Sequence, residues 1–131
     1  MLGAVYLAQH RFREAIDVAA KNRDARPNDP VNYGVIGDGR LELGDYEEAF
    51  DAIDRMMALR PGAASYARVA YARELQGDLT GALQAMKLAT DATSTQDVEG
   101  LAWTHAQLGE VYLQLGQARA AKQEFSIASR A

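Results

Sequence analysis

Cysteine is absent from the 131 residues. That removes disulfides, thiol nucleophiles and thiolate metal ligands together, and it assigns no compartment on redox grounds. Proline is scarce: Pro27, Pro30 and Pro61 are the only three. Positive charge is not in excess either, with 14 Lys and Arg against 18 Asp and Glu and a formal net charge of −4. A general nucleic-acid binder needs a clustered basic surface to displace counterions, so nucleic acid is not an expected partner. No apolar run approaches the roughly 18 residues of a membrane helix, so no membrane insertion is expected. The start, MLGAVYLAQHRFREA, has no basic segment ahead of its short apolar stretch and no clear cleavage site. No signal peptide is read, which favours the cytoplasm without fixing it.

What the chain does contain is enough for a core. Hydrophobic residues make up 48% and charged residues 24%, the balance of a soluble globular domain rather than a disordered tail. At this length one domain is expected.

The stretch GDYEEAF, Gly44 to Phe50, places a glycine and an acid before a helix-like run that closes at Pro61. Gly-Asp recurs at Gly77-Asp78, and the related GQARAA begins at Gly116. Aligned on the alanine five residues after the glycine, the chain shows Ala15, Ala49, Ala82 and Ala121, spaced by 34, 33 and 39, with His10 in place of the first glycine. A period near 34 residues is the mark of a helical repeat. Between the marks the apolar residues fall at helical spacing: Ala49, Phe50, Ile53, Met56 and Met57 share one face. The spacing predicts helix pairs over about 1–8 and 11–24, 30–43 and 46–59, 64–76 and 79–92, and 96–114 and 118–130. The five extra residues of the last interval fall in DATSTQDVEG, where Ser94 or Thr95 is the expected helix cap.

With the glycine at repeat position 15, the chain resembles a tetratricopeptide repeat protein. The second repeat carries Tyr33 at position 4, Ile36 and Gly37 at 7 and 8, Ala49 at 20, Ile53 at 24 and Pro61 at 32. The fourth carries Leu108, Gly109, Tyr112, Ala121, Phe125 and Ala128 at 7, 8, 11, 20, 24 and 27, and the first supplies Leu2, Gly3, Tyr6, Ala15 and Pro27. Arg40 and Arg73 depart from the tyrosine of position 11, and the register of the third repeat is open by one residue. The resemblance covers the whole chain as four repeats of one domain, about 1–29, 30–62, 63–95 and 96–131. It implies an all-α fold, a right-handed α-α superhelix of antiparallel helix pairs. Small residues at positions 8 and 20 let helix backbones approach, larger ones at 4, 7, 11 and 24 fill the gaps, and stacked neighbours supply the core. Counting back from His10 puts Met1 at position 6, so the first helix lacks its first turn and the last ends without an added polar helix. The expectation is a segment of a longer array, whose open ends invite stacking between chains.

Candidates for chemistry are few. His10 sits at a turn, and His105 takes the aromatic position 4, which makes it a packing residue. A metal site needs three or four converging ligands, and none is visible. No serine or acid is marked as activated, so neither an enzyme nor a cofactor is expected. GVIGDG, Gly34 to Gly39, has neither the strand–turn–helix setting nor the Lys-Ser/Thr of a phosphate loop. Packing accounts for Gly37 but leaves Gly34 and Gly39 unexplained, each costing about 1 kcal/mol relative to alanine. Residues 38–54 hold seven acids against Arg40, read chiefly as a solvated outer face that favours the helix dipole.

The resemblance further implies that the first helices of the pairs line a concave groove for a peptide or a helix of a partner protein. Carried over, its candidate residues are Gly34, Asp38, Arg68, Tyr71, Glu74, Trp103, Gln107 and Glu110, with Tyr71 and Trp103 as anchors. Gly34 should face the groove. Some family members clamp an acidic C-terminus with lysines and asparagines, but Ala4, Gly34, Val35, Asp38 and Ala64 stand where such residues are wanted. A neutral or basic ligand with an apolar anchor suits this set better. The expected function is therefore a non-catalytic interaction scaffold. The alternative is a scaffolding or regulatory segment of a larger multidomain protein, acting by intramolecular docking or self-association.

Overall fold

The computed structural model describes residues 2–130. Among them it forms eight helices and no strand: α1 (Leu2–Ala8), α2 (Phe12–Ala25), α3 (Pro30–Leu43), α4 (Tyr46–Leu59), α5 (Ala63–Leu75), α6 (Leu79–Ala92), α7 (Val98–Gln114) and α8 (Ala118–Arg130). They group into two compact units, Met1–Pro61 and Gly62–Ala131. In the first, α1 packs on α2, α2 on α3, α3 on α4, and α1 also meets α3; in the second the order is α5 on α6, α6 on α7 and α7 on α8.

The four recurring marks make one turn four times over. Gly44, Gly77 and Gly116 have φ of 81°, 79° and 77°, and His10 adopts the same left-handed region at 57°. In each turn the following N–H bonds back to the carbonyl of position 11: Arg11 to Tyr6 at 2.8 Å, and Asp45 to Arg40, Asp78 to Arg73 and Gln117 to Tyr112 at 2.9 Å. The turn residue itself bonds three residues back, as Gly77 does to Glu74 at 3.0 Å. This pair of bonds is the Schellman motif, which satisfies the last carbonyls of the first helix. It settles the register of the third repeat, because Arg73, Gly77, Asp78 and Ala82 take the roles of Arg40, Gly44, Asp45 and Ala49.

Packing follows the same period. Ala15, Ala49, Ala82 and Ala121 are each 0% exposed. Position 8 faces them across the pair. A Cβ on Gly37 would lie 2.9 Å from Ile53 Cγ1, and one on Gly109 2.5 Å from the Phe125 ring. A small residue at this position leaves room for the side chains of the second helix. In the first unit Ala15, Ala19, Val35, Ile36 and Ala52 form a buried cluster with Tyr6 and Leu7 against it. In the second, Ala70, Ala85, Met86, Ala89 and Leu108 do so, flanked by Tyr66, Leu83 and Tyr112 among others.

Two expectations about glycine need correction. Gly39 is a packing residue, since a Cβ there would sit 2.9 Å from Ile16 Cγ1 on α2. Gly34 is buried rather than open to a groove. Its neighbour Val35 belongs to the core cluster and lies 3.2 Å from the place a Cβ on Gly3 would take. Val35 is therefore covered by α1.

The cap of α7 also differs. Asp97, not Ser94 or Thr95, caps the helix, its carboxylate accepting from Gly100 N at 2.9 Å. Ser94 closes the preceding turn, where its hydroxyl accepts from Gln96 N at 3.2 Å. Most of the extra residues lengthen α7, to 17 residues against 14 in α3 and 13 in α5, and the rest lengthen the connection before it, residues 93–97. Asp29 and Asp78 cap α3 and α6 in the same way, while Asp45 spends its carboxylate on Arg40 at 2.9 Å.

Candidate interaction face

The second unit brings together most of the residues expected to meet a partner. Arg68, Tyr71 and Glu74 stand on α5; Trp103, Gln107 and Glu110 stand on α7. On α7 the residues Trp103, Gln107, Glu110 and Gln114 are spaced by four, three and four, which aligns them along one face of a helix. The two helices meet through a side-chain bond: Gln114 Nε2 donates to Glu74 Oε1 at 2.6 Å. That bond ties the C-terminal end of α5 to that of α7, and the other expected residues stand on these two helices.

Exposure marks this face out. Trp103 is 51% exposed, Leu113 49%, and Tyr71 and Leu75 43% each. These four are the large apolar side chains that α5 and α7 leave in water beyond the helix start at Val98, though Leu113 turns toward α8, where it lines a cleft with Ala121 and Phe125. A single surface leucine needs no explanation, but two aromatic groups with aliphatic ones, exposed on two helices tied by a side-chain bond, do. Glu110 is exposed among them, and Gln107 is half-buried. Arg68 is half-buried and donates to the carbonyl of Ala64 in its own helix at 3.2 Å. In the first unit Asp38 is half-buried on α3; Gly34, as described, leaves the set.

Position 11 has its own solution in each repeat. Tyr6 takes the Arg11 guanidinium over its ring at 4.4 Å, and Tyr112 takes Lys87 at 5.9 Å. The two arginines reach across the turn instead: Arg40 to Asp45, and Arg73 to the Gly81 carbonyl, each at 2.9 Å. They brace the pair rather than face a ligand.

One polar pair was not anticipated. His105 Nδ1 lies 2.6 Å from Glu124 Oε2, with both side chains 19% exposed. His105 is a bonded link from α7 to α8 and not simply a packing residue. A signal for it stood in the repeat register. Positions 4 and 23 are Tyr33 and Ala52 in the second repeat and Tyr66 and Ala85 in the third, but His105 and Glu124 in the fourth. Two polar replacements at facing positions point to a pair.

Among the described residues no group of three or more His, Cys, Asp or Glu could hold a metal ion. No helix there is long and apolar enough to cross a membrane.

No family model matches the chain, and no curated protein matches it. Solved structures do. TTC0263, a thermophilic TPR protein of Thermus thermophilus, superposes with a TM-score of 0.86 at 18% identity, over 97% of this chain and 69% of that one. The fold is that of tetratricopeptide repeat proteins. MamA from Desulfovibrio magneticus RS-1 matches with a TM-score of 0.77 and 21% identity, over 98% of this chain and 70% of that one. The APC/C hetero-tetramer Cut9–Hcn1 matches with a TM-score of 0.86 and 16% identity, over 96% of this chain but 25% of that one. At these identities the likeness is one of tetratricopeptide fold, and fold alone does not give function.

Proposed function

We propose that the chain is a protein-interaction scaffold that holds a peptide or helix of a partner protein against the face of α5 and α7. The observation that carries this is the exposure of Tyr71 and Leu75 on α5 and of Trp103 on α7, two helices tied at their C-terminal ends by the Glu74–Gln114 bond. Aromatic anchors set among polar groups are the usual makings of a binding hot spot. Glu110 adds a carboxylate at the middle of the α7 stripe, and the lysine and asparagine clamp for an acidic terminus is absent. The face therefore favours a segment with an apolar side chain for Trp103 and a neutral or basic group for Glu110. A peptide library screened against the chain tests this. Enrichment of apolar-basic sequences that bind the native chain but not Trp103→Ala or Tyr71→Ala supports the reading; binding that ignores both substitutions, or enrichment of acidic sequences, sinks it.

A second reading draws support from the Cut9–Hcn1 hetero-tetramer, where a quarter of one chain matches these helices. In that reading the repeats are a scaffolding segment of a larger protein or assembly, and the same face docks an element of that assembly. A catalytic or membrane domain beside the repeats in the full-length sequence would favour it.

A further inference from the structure

α8 carries its outer charge in one sign. Arg119, Lys122, Gln123, Ser126, Ile127 and Arg130 follow at steps of three and one, which sets them along one face of the helix. They line an open cleft of about 480 Å³. On the other side of the helix Ala121 is 0% exposed, and Glu124, the one acid of α8, lies 2.6 Å from His105. Arg119, Lys122 and Arg130 are exposed and have no ion pair among the described residues.

Composition, not place in the chain, sets this face apart. At repeat position 21, α2 and α6 have Ile16 and Leu83, which pack toward the helix that follows. α8 has Lys122 there, with Arg119 three residues before it. An apolar helix laid over them would strip water from two cations and offer no acceptor. The face calls for acids, with an apolar group for Ile127, which is 40% exposed.

α4 presents that chemistry at the same repeat positions. Glu47, Asp51 and Asp54 stand at 18, 22 and 25, where α8 has Arg119, Gln123 and Ser126. All three acids are exposed, and none has an ion pair among the described residues. Arg55, the one base of α4, lies over the Tyr33 ring at 5.9 Å. Along the edge of the acids Tyr46 stacks on Phe50, ring centroids 6.2 Å apart, and Tyr46 is 47% exposed.

We propose that α8 of one copy of this chain docks on α4 of a second copy, side by side and antiparallel. Antiparallel order puts Arg130, in the last turn of α8, beside Glu47 in the first turn of α4, and it opposes the two helix dipoles. Ile127 then falls level with Phe50, and Lys122 and Arg119 reach toward Asp51 and Asp54. The chain as a whole carries a formal charge of −4, so two copies repel unless opposite patches meet. Charge therefore sets the orientation of the contact more than its strength. Exposed ion pairs are individually weak, so the association is expected to be weak and sensitive to salt.

The test is sedimentation of the full chain over a concentration series up to the millimolar range, at low and at high salt. The native chain is expected to gain mass with concentration at about 0.01 M salt and to lose at least tenfold in association at about 1 M, where the screening length falls from about 30 to about 3 Å. One variant reverses α8 (Arg119→Glu, Lys122→Glu, Arg130→Glu), and another reverses α4 (Glu47→Lys, Asp51→Lys, Asp54→Lys). Each alone is expected to stay a monomer, and their equimolar mixture to associate, because each reversed face then meets its opposite. Circular dichroism confirms that both variants fold. A native chain that stays monomeric at low salt overturns the proposal, and so does association indifferent to salt. Loss on reversing α8 with none on reversing α4 also overturns it, since the occupant would then be another acidic group. Association abolished equally by Trp103→Ala overturns it too, because the α5 and α7 residues would then be the contact.

Discussion

His105 and Glu124 are joined across the last helix pair at 2.6 Å, at facing positions that hold an aromatic ring and an alanine in the second and third repeats. Alanine there is buried, at 7% for Ala52 and 1% for Ala85. A carboxylate introduced at such a place needs a donor, and the imidazole supplies it. Truncating either partner leaves the other poorly satisfied. His105→Ala and Glu124→Ala are each expected to lower stability by about 1–3 kcal/mol. The double variant should lose less than the sum, with a coupling of at least about 0.5 kcal/mol in urea denaturation. Strict additivity would show that the two groups do not act as a pair.

The glycines at position 8 are ranked by what they face. A Cβ on Gly109 meets three ring atoms of Phe125 at 2.5, 2.7 and 2.8 Å, and a rigid ring cannot yield one atom at a time. On Gly37 the conflict is with Ile53 Cγ1 at 2.9 Å, and on Gly39 with Ile16 Cγ1 at 2.9 Å. Alanine gains about 1 kcal/mol of helix propensity at every one of these sites. Overpacking costs about 1–3 kcal/mol. Gly109→Ala should therefore lose about 1–2 kcal/mol, with Gly37→Ala and Gly39→Ala nearer zero. Equal losses at all three would refute the ranking.

His10 holds a left-handed conformation that its three counterparts reach with glycine. A side chain in that region costs about 1–2 kcal/mol relative to glycine. Against this stand the greater unfolded-state freedom of glycine and an edge-to-face contact with Phe12 at 5.7 Å. His10 is exposed, which weakens the ring contact. His10→Gly is expected to gain up to about 1 kcal/mol, while Gly77→Ala loses about 1 kcal/mol or more. Chemical denaturation of both variants reads the difference in sign.

Most of the architecture was legible because the same physical problem is solved four times. A left-handed turn wants glycine, and a close helix crossing wants alanine, so the two residues recur at fixed distance and betray the period. What was hidden lay across the repeats and not along them. Gly39 and Val35 sit on flanks of α3 whose cover, α2 and α1, comes from the preceding pair, and a motif position does not state which neighbour lies over it. The cap of α7 is ambiguous in the sequence because Ser94, Thr95 and Asp97 all offer a side-chain oxygen. Only the length of the helix decides among them.

Trp103 is the single tryptophan and is 51% exposed, which makes the proposed face observable without a label. Half of the indole is in water, so its emission should lie toward the red in the native chain and shift to the blue when a ligand covers it. Its removal touches no buried cluster. Trp103→Ala is thus expected to change stability by no more than about 0.5 kcal/mol. The same substitution should weaken a bound peptide at least tenfold, the equivalent of about 1.4 kcal/mol for one anchor. Stability and affinity are therefore expected to separate at this residue. A large loss of stability would mean that the indole packs within the fold, and that Tyr71, Leu75 and Leu113 are exposed without forming a face for a partner.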